Sequence, residues 1–263
     1  MKYVIVTGAD GGMGRATVKY LKNRGYFVFA LDKREISEES GVMPITVDVT
    51  SEQSVRSAFE KVKSVTESVY AVIHFAGIYM LDSLVETSGA DFEKIFAINV
   101  FGAFYVNKIF MPLMKNGSKI VMVTSELAAI DPLPFTGIYA VTKSALDRYA
   151  FSLRMELQLK EIAVSVIRAG AVRTNMLGAS TAALDRFSAE TELYKYNAER
   201  FKKIVNGVES RCVPPEKIAE KAVAVIEKKN PRFAYSVNNN FLLKLYGILP
   251  SRLKFRVVKN ILK

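Results

Sequence analysis

Tyr139 and Lys143 stand four residues apart in Tyr139-Ala140-Val141-Thr142-Lys143. On a helix, positions i and i+4 share a face, with Cβ atoms about 5–6 Å apart. A lysine ammonium so placed favours the phenolate and draws a tyrosine pKa down from about 10 toward working pH. Such a tyrosine takes a proton from an alcohol or gives one to a ketone. Ser125 lies 14 residues earlier, just beyond the apolar run Ile120–Thr124, within reach of the same substrate oxygen. A Tyr-x-x-x-Lys alone is frequent by chance, and a solvated helical pair does no chemistry. His74 is the only histidine and Cys212 the only cysteine. That removes most Ser-His-Asp, Cys-His and multi-His metal chemistries and leaves tyrosine, lysine, serine and carboxylates as catalysts. Neither an intramolecular disulfide nor a metal site is expected.

A second chemical signal lies at the start of the chain. Thr7-Gly8-Ala9-Asp10-Gly11-Gly12-Met13-Gly14 follows the apolar run Tyr3–Val6 and precedes a helical pattern. Gly8, Gly12 and Gly14 permit a tight turn, close approach of backbone to a phosphate, and close helix–strand packing. The helix N-terminus then offers free N–H groups and a positive dipole end to a pyrophosphate. Asp32 ends the next apolar run, 18 positions beyond Gly14, near the spacing of the acid that holds adenosine ribose hydroxyls. A carboxylate there repels a 2′-phosphate and favours NAD over NADP, a preference that Lys33 and Arg34 can soften; the alternative is that Asp32 only caps a turn. Asp48, after the third run, fits either the adenine edge or a cap for the helix beginning near Ser51.

These residues need a frame to hold them. Tyr3–Val6, Phe27–Leu31, Ile45–Val47, Tyr70–Phe75, Ile120–Thr124 and Val164–Ile167 read as buried parallel strands. Gly14–Arg24, Ser51–Ser64, Asp91–Met114 and Tyr139–Leu159 have room for helices between them. The alternation predicts an α/β fold with a doubly wound parallel sheet, helices on both faces, in a single domain spanning residues 1–263. Residues 175–212 have no strand candidate and are expected to form a helical substrate lid. Pro214–Lys228 reads as a further helix and Phe233–Ser236 as a last strand, before a C-terminal extension over residues 238–263.

Half of the 263 residues are hydrophobic and about a quarter are charged, which excludes intrinsic disorder. The net charge of +11 is local. Residues 200–263 hold 15 basic and 4 acidic residues, and the rest of the chain balances at 22 of each sign. A nucleic-acid protein usually spreads its basic residues across its main face, so no nucleic-acid partner is expected. The N-terminal sequence lacks the long apolar core of a signal peptide, and no stretch approaches the roughly 20 apolar residues of a membrane span, so a cytoplasmic protein is expected.

Taken together, the chain resembles the short-chain dehydrogenase/reductases over nearly its whole length. The glycine motif of that family is matched by Thr7, Gly8, Gly12 and Gly14, and its serine, tyrosine and lysine by Ser125, Tyr139 and Lys143. Asn99, in Asn99-Val100-Phe101-Gly102, is similar to the active-site asparagine that orders a water and the lysine. Thr174 is similar to the threonine that contacts the nicotinamide carboxamide. The resemblance implies a three-layer αβα Rossmann fold and a nicotinamide cofactor, which Asp32 makes NAD in preference to NADP. It places that cofactor against Gly8, Asp10, Gly12, Met13, Gly14, Asp32, Asp48, Val49, Ala76, Gly77, Gly170, Val172 and Thr174, with Tyr139 and Lys143. Two positions depart from the pattern. His74-Phe75-Ala76-Gly77 stands where the family has Asn-Asn-Ala-Gly, losing amide bonds between central strands, and His74 reads as a packed residue. Ala169-Gly170 replaces Pro-Gly and loses a rigid turn.

The resemblance further implies hydride transfer between nicotinamide C4 and a secondary alcohol or ketone. Tyr139 would be the acid–base group, Lys143 would hold the ribose and lower the phenol pKa, Ser125 would position the substrate oxygen, and Asn99 would support a proton path through water. The apolar residues Met176, Leu177, Leu184, Phe187, Leu193, Tyr194, Tyr196 and Phe201 suit either a lipophilic pocket or the packing of a lid. The ending, with Pro231-Arg232-Phe233-Ala234-Tyr235-Ser236 and Leu249-Pro250-Ser251-Arg252-Leu253, is similar to that of the steroid and retinol branch. A hydroxysteroid or similar bulky substrate is therefore expected. A 3-oxoacyl-thioester reductase using NADPH is the alternative, and a catalytically idle NAD-binding sensor or scaffold a second. Family members usually form dimers or tetramers, and Ile95, Ile98, Phe104, Phe151 and Leu153 fit a four-helix contact or packing on the sheet. Over Ser251–Lys263 the apolar Leu253, Val257, Val258, Ile261 and Leu262 oppose Arg252, Arg256, Lys259 and Lys263, with Lys254 near the boundary. This basic amphipathic helix is expected to pack on its own domain or a neighbouring subunit in preference to a membrane surface.

Overall fold

Strand and helix alternate in the order the apolar runs require. The computed structural model describes residues 1–209 and 211–263; Ser210, inside the expected lid, lies outside the described residues. The strands are β1 (Tyr3–Thr7), β2 (Phe27–Asp32), β3 (Val42–Thr46), β4 (Val69–His74), β5 (Met114–Ser125), β6 (Ala163–Ala169) and β7 (Ala234–Val237). They form one parallel sheet in the order β3-β2-β1-β4-β5-β6-β7. The helices are α1 (Gly12–Asn23), α2 (Glu52–Lys63), α3 (Gly89–Phe96), α4 (Gly102–Phe110), α5 (Gly137–Leu157), α6 (Asn175–Glu190), α7 (Lys195–Glu209), α8 (Glu216–Ile226), α9 (Phe241–Ile248) and α10 (Ser251–Leu262).

Side chains alternate across each strand and so build two cores. Val4, Val6, Val28 and Ala30 meet Leu21 of α1 and Ile218 and Ala222 of α8 on one face. Ile5, Phe29 and Leu31 meet Val55 of α2, Val106 of α4 and Leu146 of α5 on the other. This is the expected doubly wound, three-layer sheet. Pro44 is tolerated because β3 is an edge strand, where no neighbour needs its missing N–H.

Three elements differ most from expectation. β5 begins at Met114, six residues early, because Lys115-Asn116-Gly117 carries no apolar signal although it is part of the strand. β3 runs over Val42–Thr46, ahead of the expected Ile45–Val47. The single helix expected over Asp91–Met114 is α3 and α4 joined by a π-helical turn, Ala97–Phe101. The continuous helical stretch Gly89–Leu113 is 25 residues long and apolar enough to cross a membrane, contrary to the reading that no stretch approaches this. Its inner side, including Ile95, Asn99, Val106 and Phe110, is instead buried within the fold.

The segment expected to form a lid and the C-terminal tail share a third apolar cluster. Leu184, Phe187, Ala198 and Phe201 pack with Leu81, Phe135 and Leu262, and Val258 borders them. The inner side of α10 therefore rests on its own domain, against α7, where Asn197 Nδ2 donates to the Leu262 carbonyl at 2.8 Å. Lys254, placed near the boundary by the helical pattern, is buried and pairs with Asp131 at 2.8 Å.

Candidate active site

β1 and β4 are adjacent in the sheet and lead in opposite directions, so their carboxyl ends flank the point where the strand order reverses. A cleft of about 950 Å³ opens there. Of the expected cofactor residues, Gly8, Gly12, Met13, Gly14, Asp32 and Asp48 line its first-strand side. Val49, Ala76, Gly77 and Thr174 complete it. Gly8 has φ +64°, and a Cβ there would stand 2.6 Å from the Ala76 nitrogen, so only glycine lets β1 and β4 close on each other here. α1 starts from Gly11, which makes no side-chain cap, leaving its first N–H groups open to an anion. Volume, amides and the acid Asp32 together fit a dinucleotide.

Where the adenosine is expected, Arg15, Lys33 and Arg34 are each paired with a carboxylate. Asp32 accepts the backbone N–H of Asp10 and of Arg34, each at 3.0 Å. Asp10 faces two guanidiniums, Arg15 Nε at 2.7 Å and Arg34 Nε at 2.9 Å. Lys33 is paired with Asp48 at 2.9 Å. Thr50 and Lys33 hold the Asp48 carboxyl down at about 2. Asp10 is thus a clamp between Arg15 and Arg34 and does not itself line the cleft.

The residues expected to transfer the proton assemble where the helices meet the ends of β4 and β5. Ser125 is the last residue of β5, and its hydroxyl accepts the Leu127 N–H at 3.2 Å. Lys143, one turn along α5, donates to the Val123 carbonyl at 3.3 Å and lies 5.7 Å from the Tyr139 ring centroid. Asn99 sits in the π-helical turn. Its amide accepts the Ile78 N–H at 2.8 Å and donates to the Ile78 carbonyl at 3.0 Å and to Thr142 Oγ1 at 3.1 Å. A Cβ on Gly77 would lie 3.1 Å from Asn99 Oδ1 and 3.4 Å from Lys143 Nζ, so both groups approach the same glycine. All four expected catalytic side chains are buried, and none is among those lining the cleft. Tyr79, on the loop after β4, does line it and packs on Tyr139 with ring centroids 4.8 Å apart.

Burial reverses the expected electrostatics. The Tyr139 phenol is pushed well above its ordinary value by desolvation and by Tyr79, against a smaller opposing effect of the neighbouring Ser125 hydroxyl. Desolvation brings the Lys143 ammonium down to about 8. The anticipated lowering of the phenol by Lys143 is absent in the closed site, because the dry surroundings penalise both charges.

The remaining expectations divide. Thr174 sits directly on the glycine turn: a Cβ on Gly12 would be 2.7 Å from its methyl. Gly170 lies against Asn238, whose carbonyl fills the space a Cβ would need, and Val172 is buried in the core beside Val213. In the lid, Met176, Ala179, Ala183 and Arg186 of α6 face the cleft. Leu184, Phe187 and Phe201 are packing, while Leu193 and Tyr196 are exposed. Of the residues considered for a subunit contact, Ile95 is buried, Ile98 lines the cleft and Leu153 packs inward, whereas Phe104 and Phe151 are exposed.

His74 is a packed residue, as its position suggests. Its Nε2 meets Asn107 Oδ1 at 2.9 Å, and Asn107 donates to the Tyr149 hydroxyl at 3.2 Å, tying β4 to α4 and α5. Sequence reasoning missed this substitute network. It also missed Tyr79, Thr142, and the pairing of Arg168 with Asp147 at 2.7 Å, which braces β6 against α5 one turn beyond Lys143. Phe135 was missed as well. It has φ +63°, a conformation disfavoured for a bulky residue, at the approach to α5. Only Thr142, three residues from Tyr139 on the same helix, carried a local signal.

Comparison with known proteins agrees with this geometry. The short chain dehydrogenase family profile matches residues 2–185. A Helicobacter pylori protein named as a short-chain type dehydrogenase/reductase is 27% identical over 94% of this chain and 93% of its own. Mouse estradiol 17-beta-dehydrogenase 2 is 33% identical over 67% of this chain, a match that covers 50% of the mouse protein. The crystal structure of a short-chain dehydrogenase from Streptomyces avermitilis superimposes with a TM-score of 0.81 at 22% identity, covering 99% of this chain and 97% of that one.

Proposed function

The chain belongs to the short-chain dehydrogenase family, and we propose that it is an NAD-dependent enzyme interconverting a secondary alcohol and a ketone on a bulky lipophilic molecule of the hydroxysteroid kind. The observation that carries the reading is the burial of Ser125, Tyr139 and Lys143 together at the end of β5, with the Lys143 ammonium 5.7 Å from the Tyr139 ring centroid. When bound, NAD supplies the hydride acceptor at nicotinamide C4 and a positively charged ring. The residues of this chain do the rest. Ser125 fixes the substrate oxygen, and Tyr139 takes the hydroxyl proton during oxidation and returns it during reduction. Lys143 donates to the nicotinamide ribose and, while protonated, stabilises the phenolate. Asn99 keeps the loop carrying Gly77 and Ile78 against α5, so that proton donor and substrate stay in register.

NAD is preferred on this reading because Asp32 faces the adenosine end and Arg15, Lys33 and Arg34 are all engaged by carboxylates there. A 3-oxoacyl-thioester reductase normally uses NADPH, and against that norm the engaged cations favour the first reading. The similarity to an estradiol dehydrogenase supports a lipophilic substrate. Exposed Phe101, Phe104, Phe151 and Met155, on the connecting turn, α4 and α5, support a homodimer or homotetramer packed through these helices.

The test is a panel of hydroxysteroids, retinoids, acyl thioesters and short hydroxy acids, run with NAD and NADP in parallel on wild type and Tyr139→Phe. Turnover of a hydroxysteroid or retinoid with NAD, lost in Tyr139→Phe while NAD binding persists, is expected. Turnover confined to acyl thioesters with NADPH, or full activity in Tyr139→Phe, overturns it.

A further inference from the structure

The last two helices leave an unusual surface. On α9, Phe241, Leu242, Leu245 and Ile248 are exposed, at spacings that put them on one side of the helix. Ile248 is 80% and Phe241 68% accessible. The opposite side of α9 faces the protein, where Gly247 comes up against Ile130. α10 buries Lys254 and Leu262 and turns Arg252, Arg256, Lys259 and Lys263 outward, with Phe255 73% exposed at their edge. Residues 238–263 contain six lysines and arginines and no acidic residue. Of these, Lys254 is committed to Asp131 and the Gly247 carbonyl, which also clasps α10 to α9. Among the described residues, Arg252, Arg256, Lys259 and Lys263 pair with no carboxylate.

We propose that this surface docks the protein on an anionic lipid bilayer. The apolar stripe of α9 enters the headgroup–acyl boundary and the basic side of α10 lies against lipid phosphates. Short helices with a bare apolar side and unpaired basic neighbours bind in this way, the apolar part by burial and the basic part by attraction to anionic lipid. Charge selects the occupant. A second copy docking through the same surface would set basic residues against basic residues, with Asp131 already engaged by Lys254. The surface is joined to the proposed catalytic edge: Asn240, which caps α9, donates its N–H to Glu126 at 2.6 Å, and Glu126 follows Ser125. Docking therefore brings that edge to the lipid. The surface does not depend on the assignment of the reaction, because lipid binding is read without substrate.

The full chain is floated with phosphatidylcholine vesicles and with phosphatidylcholine–phosphatidylglycerol vesicles, at low and raised salt. Binding to the anionic vesicles alone, weakened by salt, is expected. Leu242→Glu with Ile248→Glu, and separately Arg252→Glu with Arg256→Glu, are each expected to weaken partitioning about tenfold or more, with unfolding temperature unchanged. Leu242→Gln, which adds no charge, gives a smaller loss in the same direction. Equal binding to both vesicle types, no binding to either, or unchanged binding in all variants overturns the proposal. So does conversion of an oligomer to monomers by the α9 variants with lipid binding intact, because the surface is then a subunit contact.

Discussion

Tyr79 covers Tyr139 with ring centroids 4.8 Å apart and planes inclined at 52°. One phenol thus shields the other from water, and its presence raises the pKa of the buried one. Removing only the Tyr79 hydroxyl, as Tyr79→Phe, keeps the ring contact and deletes that electrostatic effect. The rise of kcat/KM for alcohol oxidation with pH should then move to lower pH. Tyr79→Ala also admits water to Tyr139 and should move it further in the same direction, at the cost of about 1 kcal/mol of ring packing. Identical pH profiles for wild type and both variants would separate Tyr79 from the chemistry.

Lys143 sets a second pH limit. Its ammonium is brought down to about 8 by burial, so it loses its proton inside the assay range. Ketone reduction needs the Tyr139 phenol protonated, which the raised phenol satisfies throughout neutral pH, and benefits from a charged Lys143. kcat/KM for reduction should be level below about pH 8 and fall above it as the ammonium deprotonates. A reduction profile level to pH 10 would show that Lys143 stays charged in the working complex.

How much of this was legible in the chain depended on how local the cause is. Tyr139 and Lys143 share a helix face whatever surrounds them, and Ser125 ends an apolar run, so both could be read directly. The π-helical turn around Asn99 was invisible because the apolar pattern continues through it, and the role of Asn99 rests on Ile78 and Thr142, far away in sequence. The apolar side of the lid looked alike whether it faced a substrate or Phe135, and most of it faces Phe135 and its neighbours. The Arg168–Asp147 pair was hidden because the apolar run of β6 seemed to stop at Ile167, while the strand continues to Ala169.

The adenosine end yields a prediction about cofactor choice. Asp32 and Asp10 together occupy Arg34. Asp32→Ala removes the acid proposed to hold the ribose hydroxyls and repel a 2′-phosphate, and it loosens Arg34 toward the same place. The ratio of kcat/KM for NADP to that for NAD should rise by about tenfold or more, consistent with about 1–2 kcal/mol for one charge contact at a partly exposed site. A wild-type enzyme that works only with NADPH would contradict the part given to Asp32.

His74 should make the fold acid-sensitive through a single residue. It is fully enclosed beneath α4, and desolvation lowers its pKa to about 4, outweighing the hydrogen bond to Asn107 that acts to raise it. In the unfolded chain the imidazole takes up a proton near its ordinary value of about 6.5, whereas the folded protein refuses one until about pH 4. Between those values the unfolded state binds more protons, so stability falls as pH falls. The full effect is on the order of 3 kcal/mol, reached near pH 4, and none of it is felt above pH 7. Asn cannot titrate in this range and can still bond Asn107. His74→Asn should therefore cost little at pH 8 and flatten the decline in unfolding free energy between pH 6.5 and 4, measured by urea titration at each pH. Other carboxylates add their own slopes to both proteins, so the difference between the two curves isolates the imidazole. Parallel curves would mean that His74 accepts its proton within the fold, with Asn107 turning its amide to suit.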